Sequence, residues 1–441
     1  MSMVVKNNMS AVSTLNTLNK NSSALSKSLS KVSSGMKINS AADDASGYAI
    51  SERMRVQIRS LDQANSNTQN GSSMMKVAEG AVSSTVDILK TLKEKAINAA
   101  NDTNTDTDRA TIQKEMDQYI DQINDNANVT YNDKYLINGS HNSKTTATCT
   151  ALTNESLDAG TKQGSALTDL KSRTGEDLNI HSTDRVTVSY VQEGKTYTTT
   201  FDVGSKSLDD IVKSASTAKN GTETGSAVAS LTGSTSYIGK DGAGNSVYTA
   251  DNGNALTITA SSAGTKAQVS GFTISIADNT GAVNKTANAS LDAFSEQIRA
   301  QNASDDNALV LQVGTKANQS IKIGLTDMRS EALGLKGSDG KTLSISTQDK
   351  ANAAVNVLEN ALQKALDQQT TIGAVESRLS YTSSNLTTAS ENVQSSESNI
   401  RDADMAKEMT EYTKNNVLLQ AAQSMLAQAN QNSSAVLSLL Q

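Results

Sequence analysis

A seven-residue hydrophobic repeat runs through the C-terminal part of the chain. Eight apolar residues stand at intervals of seven: Ala351, Leu358, Ala365, Ile372, Leu379, Leu386, Val393 and Ile400. A repeat that continues over more than four heptads predicts a coiled-coil rod, because the apolar side chains then line one seam of the helix. A narrow seam of this kind needs a partner helix.

The N-terminal part contains a similar repeat, formed by Leu61, Thr68, Met75, Val82, Leu89 and Ala96. We expect the two rods to pair across roughly 200 intervening residues, because loop entropy grows only logarithmically with loop length. The rod core is then predicted to contain Leu61, Met75, Val82, Leu89, Leu358, Ile372, Leu379, Leu386, Val393 and Ile400.

Both ends of the chain carry a further apolar stripe at helical spacing. The first stripe contains Val12, Leu15, Leu18, Leu25, Leu29 and Val32, and the last contains Leu418, Ala422, Met425, Ala429, Val436 and Leu440. A pair of short helices with few aromatic residues is marginally stable alone. We therefore predict that these residues are assembly seams, which become ordered against neighbouring subunits.

Shorter sequence signals lie between these predicted helices. Ser40-Ala41-Ala42-Asp43 resembles a capping box, with Asp43 in place of the usual Glu or Gln, and predicts that the first rod helix starts here. A shorter helix is predicted from about Asp108, and residues 131–139 predict a small hairpin.

The hydrophobic period changes between about residues 141 and 340. Residues 185–191 and 197–203 alternate around Glu193-Gly194-Lys195 and predict a β-hairpin. Further strands are predicted at 255–260 and 271–276, and short helices at 208–218 and 291–300. The prediction is a multidomain protein with paired, all-α, coiled-coil or helical-bundle ends and a central α+β or β-rich variable region.

Three zones follow from these patterns. Terminal helices span 1–40 plus 405–441, a helical rod domain with a small hairpin spans 41–140 plus 341–404, and a variable outer region spans 141–340. The chain has no proline and no tryptophan, which favours long unkinked helices over a deep globular core. The net charge of −7, with both signs interspersed, argues against a nucleic-acid partner.

The sequence contains few of the residue combinations that catalysis requires. Histidine occurs only at His141 and His181, and no zinc-ligand spacing, nucleophile elbow or phosphate loop is present. We expect no enzyme activity, no metal and no cofactor. No apolar run is long enough to span a membrane, and the N-terminus has no secretory signal pattern.

The terminal residues resemble bacterial flagellins. The resemblance rests on LSKVSSGMKINSAADDASG at 29–47, ESNIRDADMA at 397–406, and LAQANQ at 426–431. It covers about 1–140 and 320–441. The resemblance implies a secreted structural subunit that polymerises into the extracellular flagellar filament for motility. It also implies unfolded export through the flagellar type III channel, a chaperone on the C-terminal helix, and contacts with hook-associated junction and cap proteins.

Many flagellins also bind a Toll-like receptor through the helix that follows the first rod. The corresponding stretch here includes Leu89, Thr91, Lys95 and Glu115. Thr91 stands where recognised members carry Arg, and Lys95 where they carry Leu, whereas Glu115 keeps the family's acidic position. Because a bidentate Arg and an apolar anchor are both missing, we expect weak receptor activation.

Two alternatives remain open at this point. A hook–filament junction protein shares the terminal helices and also assembles. A binding module is the second alternative, since the middle region could bind glycans or host surfaces.

Overall fold

The computed structural model describes residues 8–162, 164–220, 223–224, 227–232, 237–249 and 255–438. The helices are α1 (Met9–Ser34), α2 (Ala45–Ala99), α3 (Asp106–Ala127), α4 (Leu208–Thr217), α5 (Lys285–Leu291), α6 (Gln348–Arg401) and α7 (Met405–Ser438). The first strands are β1 (Thr130–Tyr131), β2 (Lys134–Tyr135), β3 (Ala151–Asn154), β4 (Arg185–Gln192), β5 (Lys195–Asp202), β6 (Lys219–Asn220), β7 (Glu223–Thr224) and β8 (Ala227–Thr232). The later strands are β9 (Tyr237–Lys240), β10 (Ser246–Tyr248), β11 (Ala255–Ala260), β12 (Val269–Ala277), β13 (Ser295–Ile298), β14 (Leu309–Gln312) and β15 (Ser320–Ile323).

The chain forms two units. The terminal unit contains Met1–Thr68, Gln312–Gln319 and Tyr381–Gln441, and the central unit contains Gln69–Leu311 and Ser320–Ser380. Helical ends around a central region that contains strands confirm the predicted fold class.

In the terminal unit, α1 and α7 lie side by side and run antiparallel. The Asn8 side chain donates to the carbonyl of Ala429 at 3.2 Å, and Lys31 forms an ion pair with Glu408 at 3.4 Å. Helix α1 ends at Ser34 and is capped by Gly35, which has a φ of 71° and donates its amide to the carbonyl of Lys31. The two terminal stripes therefore belong to one helix pair.

The terminal unit also holds the first part of α2 against the last part of α6. Leu61, Ala64 and Leu386 form a buried apolar cluster, with Val393 packed against it. At the end of α6, the buried Arg401 donates to Glu52 at 2.6 Å. This pairing of residues more than 300 positions apart agrees with the rod pairing expected from the heptads.

The start of α2 differs from the predicted capping box. Asp43 accepts hydrogen bonds from the amide and hydroxyl of Ser40, but these bonds close a turn that precedes the helix. Helix α2 begins at Ala45, and Asp44 accepts from the amides of Ser46 and Gly47 at 3.0 Å. The predicted capping box, with Ser40 as the cap and Asp43 as its partner, was therefore wrong: Asp44 caps the helix, because its side chain can also satisfy free amides at a helix start.

In the central unit, α3 starts with a complete capping box between Thr105 and Asp108. Its buried residues include Met116, Ile120 and Ile123. The predicted hairpin at 131–139 is confirmed as the antiparallel pair β1–β2, although the paired segment is shorter.

The strands of the central unit form two larger sheets, with orders β13-β3-β11-β8 and β12-β4-β5-β6-β7. Residues of both sheets share one apolar core that includes Leu152, Tyr190, Ile258 and Phe272. The hairpin of β4 and β5 is confirmed, with Glu193 and Gly194 at positive φ in its turn. The predicted strands at 255–260 and 271–276 and the helix at 208–218 are confirmed as β11, β12 and α4.

The predicted helix at 291–300 was wrong. Helix α5 ends at Leu291, and Ser295–Ile298 instead forms β13, which pairs with β3. The apolar residues Leu291, Phe294 and Ile298 have helical spacing, but the sheet provides hydrogen-bond partners that a short isolated helix lacks.

Candidate assembly surface

The α1–α7 pair buries only part of its two stripes. Ala422 and Ala429 are buried, together with Ser28 at the helix contact. Leu18, Leu25 and Val32 are half-buried. Val12, Leu15, Leu29, Leu418 and Met425 are exposed, Leu29 by 52% and Met425 by 63%. Leu440 lies outside the described residues, as does the side chain of Val436.

Further apolar side chains extend this exposed surface. Met9, Met405, Met409 and Val417 are also exposed on the two helices. Met409, Val417 and Leu418 line a shallow groove together with Thr410, Thr413 and Lys414. Single exposed apolar residues are ordinary, but a series along one helix pair is typical of a surface that another protein covers.

The predicted rod residues lie inside. Leu61, Met75, Val82, Leu89, Leu358, Ile372, Leu379 and Leu386 are buried. Val393 and Ile400, nearest the end of α6, are half-buried. The heptad positions therefore become more exposed toward the end of α6.

The proposed receptor stretch is divided between core and surface. Leu89 is completely buried, so it belongs to the core and is not available to a partner of the folded chain. Lys95 is half-buried and forms an ion pair of 2.9 Å with the exposed Glu115 of α3. That pairing raises the pKa of Lys95, mainly through the hydrogen bond to Glu115. The Thr91 hydroxyl donates to the carbonyl of Asp87 within α2.

Sequence reasoning missed a set of polar residues on α6. Asn356, Asn360, Lys364 and Gln368 stand four residues apart and so share one face of the helix, which we call the polar ridge. The apolar heptad positions of the same helix predicted only a coiled-coil seam. The four-residue spacing of these polar residues was the one sequence signal that could have indicated a second, polar contact face.

Each member of the polar ridge bonds to a backbone group of the strand-containing region. The Asn356 and Asn360 side chains donate to the carbonyls of Phe272 and Ser270, at 3.2 and 2.8 Å. Lys364 Nζ donates to the carbonyl of Ala332 at 2.7 Å. Gln368 Oε1 accepts from the amide of Thr326 at 3.2 Å. The ridge therefore attaches the strands and loops of the central unit to α6.

The part of the chain that the structure describes contains no cluster of three or more His, Cys, Asp or Glu side chains suited to a metal ion. Among the same residues, no helix has the length and apolar character that crossing a membrane requires.

The comparisons with known proteins agree with this architecture. The family model described as the bacterial flagellin N-terminal helical region matches residues 5–142, and the C-terminal helical region model matches 355–440. A flagellin of Clostridium tyrobutyricum is 34% identical over 97% of this chain and 99% of its own length. Flagellin B of Vibrio anguillarum is 30% identical, with both chains covered completely.

Solved structures give weaker similarity. FliC from Burkholderia pseudomallei matches with a TM-score of 0.26 and 19% identity, over 70% of this chain and 99% of its own. The flagellar junction protein FlgL from Legionella pneumophila matches with a TM-score of 0.32 and 14% identity, over 80% of this chain and 99% of its own.

Together with these matches, the paired terminal helices and the inserted strand-containing region assign the chain to a class of structural proteins. Within that class, the chain belongs to the bacterial flagellin family. It is a structural subunit of the flagellar filament and not an enzyme.

Proposed function

We propose that the exposed face of the α1–α7 pair is the surface through which subunits polymerise. The observation that supports this is the exposure of large apolar side chains on both helices, among them Val12 and Leu15 on α1 and Met425 on α7. In the proposed filament, residues 1–40 and 405–441 form the inner tube. Residues 41–140 and 341–404 form the next shell, and residues 141–340 face the medium.

A seeded growth experiment tests this proposal. The full-length chain and a version without residues 1–40 and 405–441 are mixed separately with short filament fragments and viewed by electron microscopy. Growth of the full-length chain alone is the expected result. Failure of the full-length chain to extend any seed, or growth of the truncated version, contradicts the proposal.

We further propose that the chain is secreted and that its partners are copies of itself, an export chaperone on α7, and hook-associated junction and cap proteins. The exposed apolar residues of α7 support a chaperone, because unassembled subunits would otherwise associate through them. Co-purification of the chaperone with the full chain, but not with a chain lacking 405–441, is the expected result. Equal capture of both chains argues against a chaperone site on α7.

Activation of a Toll-like receptor is proposed to be weak. Thr91 and Lys95 replace the Arg and Leu expected at these positions, and Lys95 is already engaged by Glu115. A reporter-cell assay with purified monomer checks this. Full potency at ordinary doses would refute the proposal, whereas a gain of activity in the Thr91→Arg, Lys95→Leu double variant would support it.

A further inference from the structure

The first residue of the polar ridge, Asn356, contacts a carboxylate as well as a backbone carbonyl. Its amide nitrogen lies 3.3 and 3.4 Å from the two carboxylate oxygens of Asp292. Asp292 directly follows α5, and it also accepts from the amide of Ile274 in β12 at 3.3 Å. One carboxylate therefore connects the end of α5, strand β12 and helix α6.

Strand β12 lies very close to α6 at this point. Among the strands that the structure describes, β12 is at the edge of its sheet, so one row of its backbone groups has no neighbouring strand there. A Cβ placed at Gly271 would stand 2.9 Å from the amide nitrogen of Val357. Asn356 and Asn360 bind the carbonyls on either side of Gly271. The side chains of α6 thus take over hydrogen bonds that another strand would otherwise make.

The surroundings of Asp292 offer its charge little compensation. Asp292 and Asn356 line a crevice of about 390 Å³. The other side chains that line this crevice are mainly hydroxyl, amide and apolar groups. Asp349, in the first turn of α6, is the other ionisable side chain among the described residues that line it. The crevice contains no lysine, arginine or histidine in that part of the chain.

The protonation state of Asp292 follows from this environment. Burial raises the pKa of Asp292 from 3.8 to about 6, although the hydrogen bonds from Asn356 and Ile274 act in the opposite direction. Those bonds, at 3.3–3.4 Å, are longer than the 2.7–2.9 Å typical of charge-assisted bonds to a carboxylate. They are therefore too weak to offset the loss of solvation.

We propose that the Asp292–Asn356 contact is an acid-responsive joint, which holds strand β12 more firmly to helix α6 in mildly acidic medium than at neutral pH. Protonation removes the poorly compensated charge and leaves a neutral carboxyl, which still accepts from Ile274 and Asn356. The joint opens more readily when Asp292 is ionised, because water then solvates the carboxylate better than the crevice does.

The sign and size of the effect follow from proton linkage. The closed joint binds the proton with a pKa of about 6, and the open joint with the ordinary value of 3.8. The closed form therefore holds more protons between these values, and its stability falls as the pH rises through the window. Between pH 5 and pH 7.5 the opening equilibrium is expected to increase about tenfold.

Hydrogen exchange of the full-length monomer tests the joint. Peptides that cover β12 and residues 352–360 of α6 are followed from pH 4 to pH 8, after correction for intrinsic exchange rates. Wild-type protection should decrease about tenfold between pH 5 and 7.5, with most of the decrease below about pH 6 and a plateau above about pH 7. Asp292→Asn should keep high protection throughout, with the pH dependence removed. The wild-type titration alone overturns the proposal if protection of β12 does not change with pH.

Two control variants separate Asp292 from other acidic groups. Asp349→Asn should retain the wild-type pH dependence, because Asp349 lies at the exposed start of α6. Glu296→Gln should also retain it, although burial raises the pKa of Glu296, since this group interacts with Arg299, just after β13, and with Lys364 of α6. If either control abolishes the change while Asp292→Asn preserves it, the joint is assigned to the wrong residue.

Discussion

At the residue scale, Gly271 shows how the residue type required at one position can depend on an element that is far away in the sequence but close in space. Its hypothetical Cβ would stand 2.9 Å from both the amide nitrogen and Cγ2 of Val357. Glycine within a strand interior often marks such a close backbone approach. The strand itself could be predicted from the alternation at 271–276, but the need for glycine follows only from the position of α6.

Gly271→Ala is expected to destabilise the central unit by about 1–3 kcal/mol, because the backbone of α6 must move to admit the methyl group. The shift in the chemical denaturation midpoint measures this change. Gly80→Ala is the matched control, since Gly80 is an exposed helical residue with nothing within 4 Å of its hypothetical Cβ. The control should be neutral or stabilising by up to about 1 kcal/mol. Equal effects of the two substitutions would contradict the close-approach argument.

At the scale of elements, α3 begins where a local sequence signal places it. The Thr105 hydroxyl accepts from the amide of Asp108, and Asp108 accepts from the amide and hydroxyl of Thr105. These hydrogen bonds from Thr105 lower the pKa of Asp108. The periodicity predicted a start near Asp108, whereas the helix begins at Asp106, because caps fix boundaries more sharply than apolar spacing does.

Thr105→Ala should destabilise the chain by about 1 kcal/mol, because it removes the side-chain cap of α3. Thr111→Ala in the same helix is the control, since the exposed Thr111 hydroxyl bonds only to the preceding turn and its loss should cost little. Thermal unfolding at pH 7 measures both variants. A control as damaging as Thr105→Ala would show that threonine loss, not capping, is responsible.

At the scale of the whole molecule, apolar side chains remain exposed on α1 and α7, and this is the surface through which we propose that subunits polymerise. The helix pair buries small residues such as Ala422 and Ala429 and leaves larger ones such as Met425 and Val417 outside. Burying one such side chain contributes about 1.5–3 kcal/mol. The α1–α7 contact therefore buries little apolar surface, and most of the large apolar side chains on the two helices remain accessible to a partner.

Met425→Gln is expected to raise the critical concentration for seeded growth about tenfold or more, because the loss of one buried apolar side chain exceeds 1.4 kcal/mol. Ser424→Gln places the same side chain on the adjacent exposed residue and should change growth less. Turbidity and sedimentation over a concentration series give both values. Unchanged growth of the Met425 variant would remove this residue from the proposed surface.

The sequence by itself determined the helical ends, their apolar stripes and the β4–β5 hairpin. These features depend on local periodicity and turn chemistry, which a single stretch of chain contains. Tertiary structure decided the rest, including the replacement of a predicted helix at 291–300 by β13 and the attachment of the strands to the polar ridge. Lys364 and Asn360 bind backbone carbonyls 32 and 90 residues away in the chain. Hydrogen-bond partners of this kind leave no local period, because any backbone carbonyl can accept and only the fold selects which one is near.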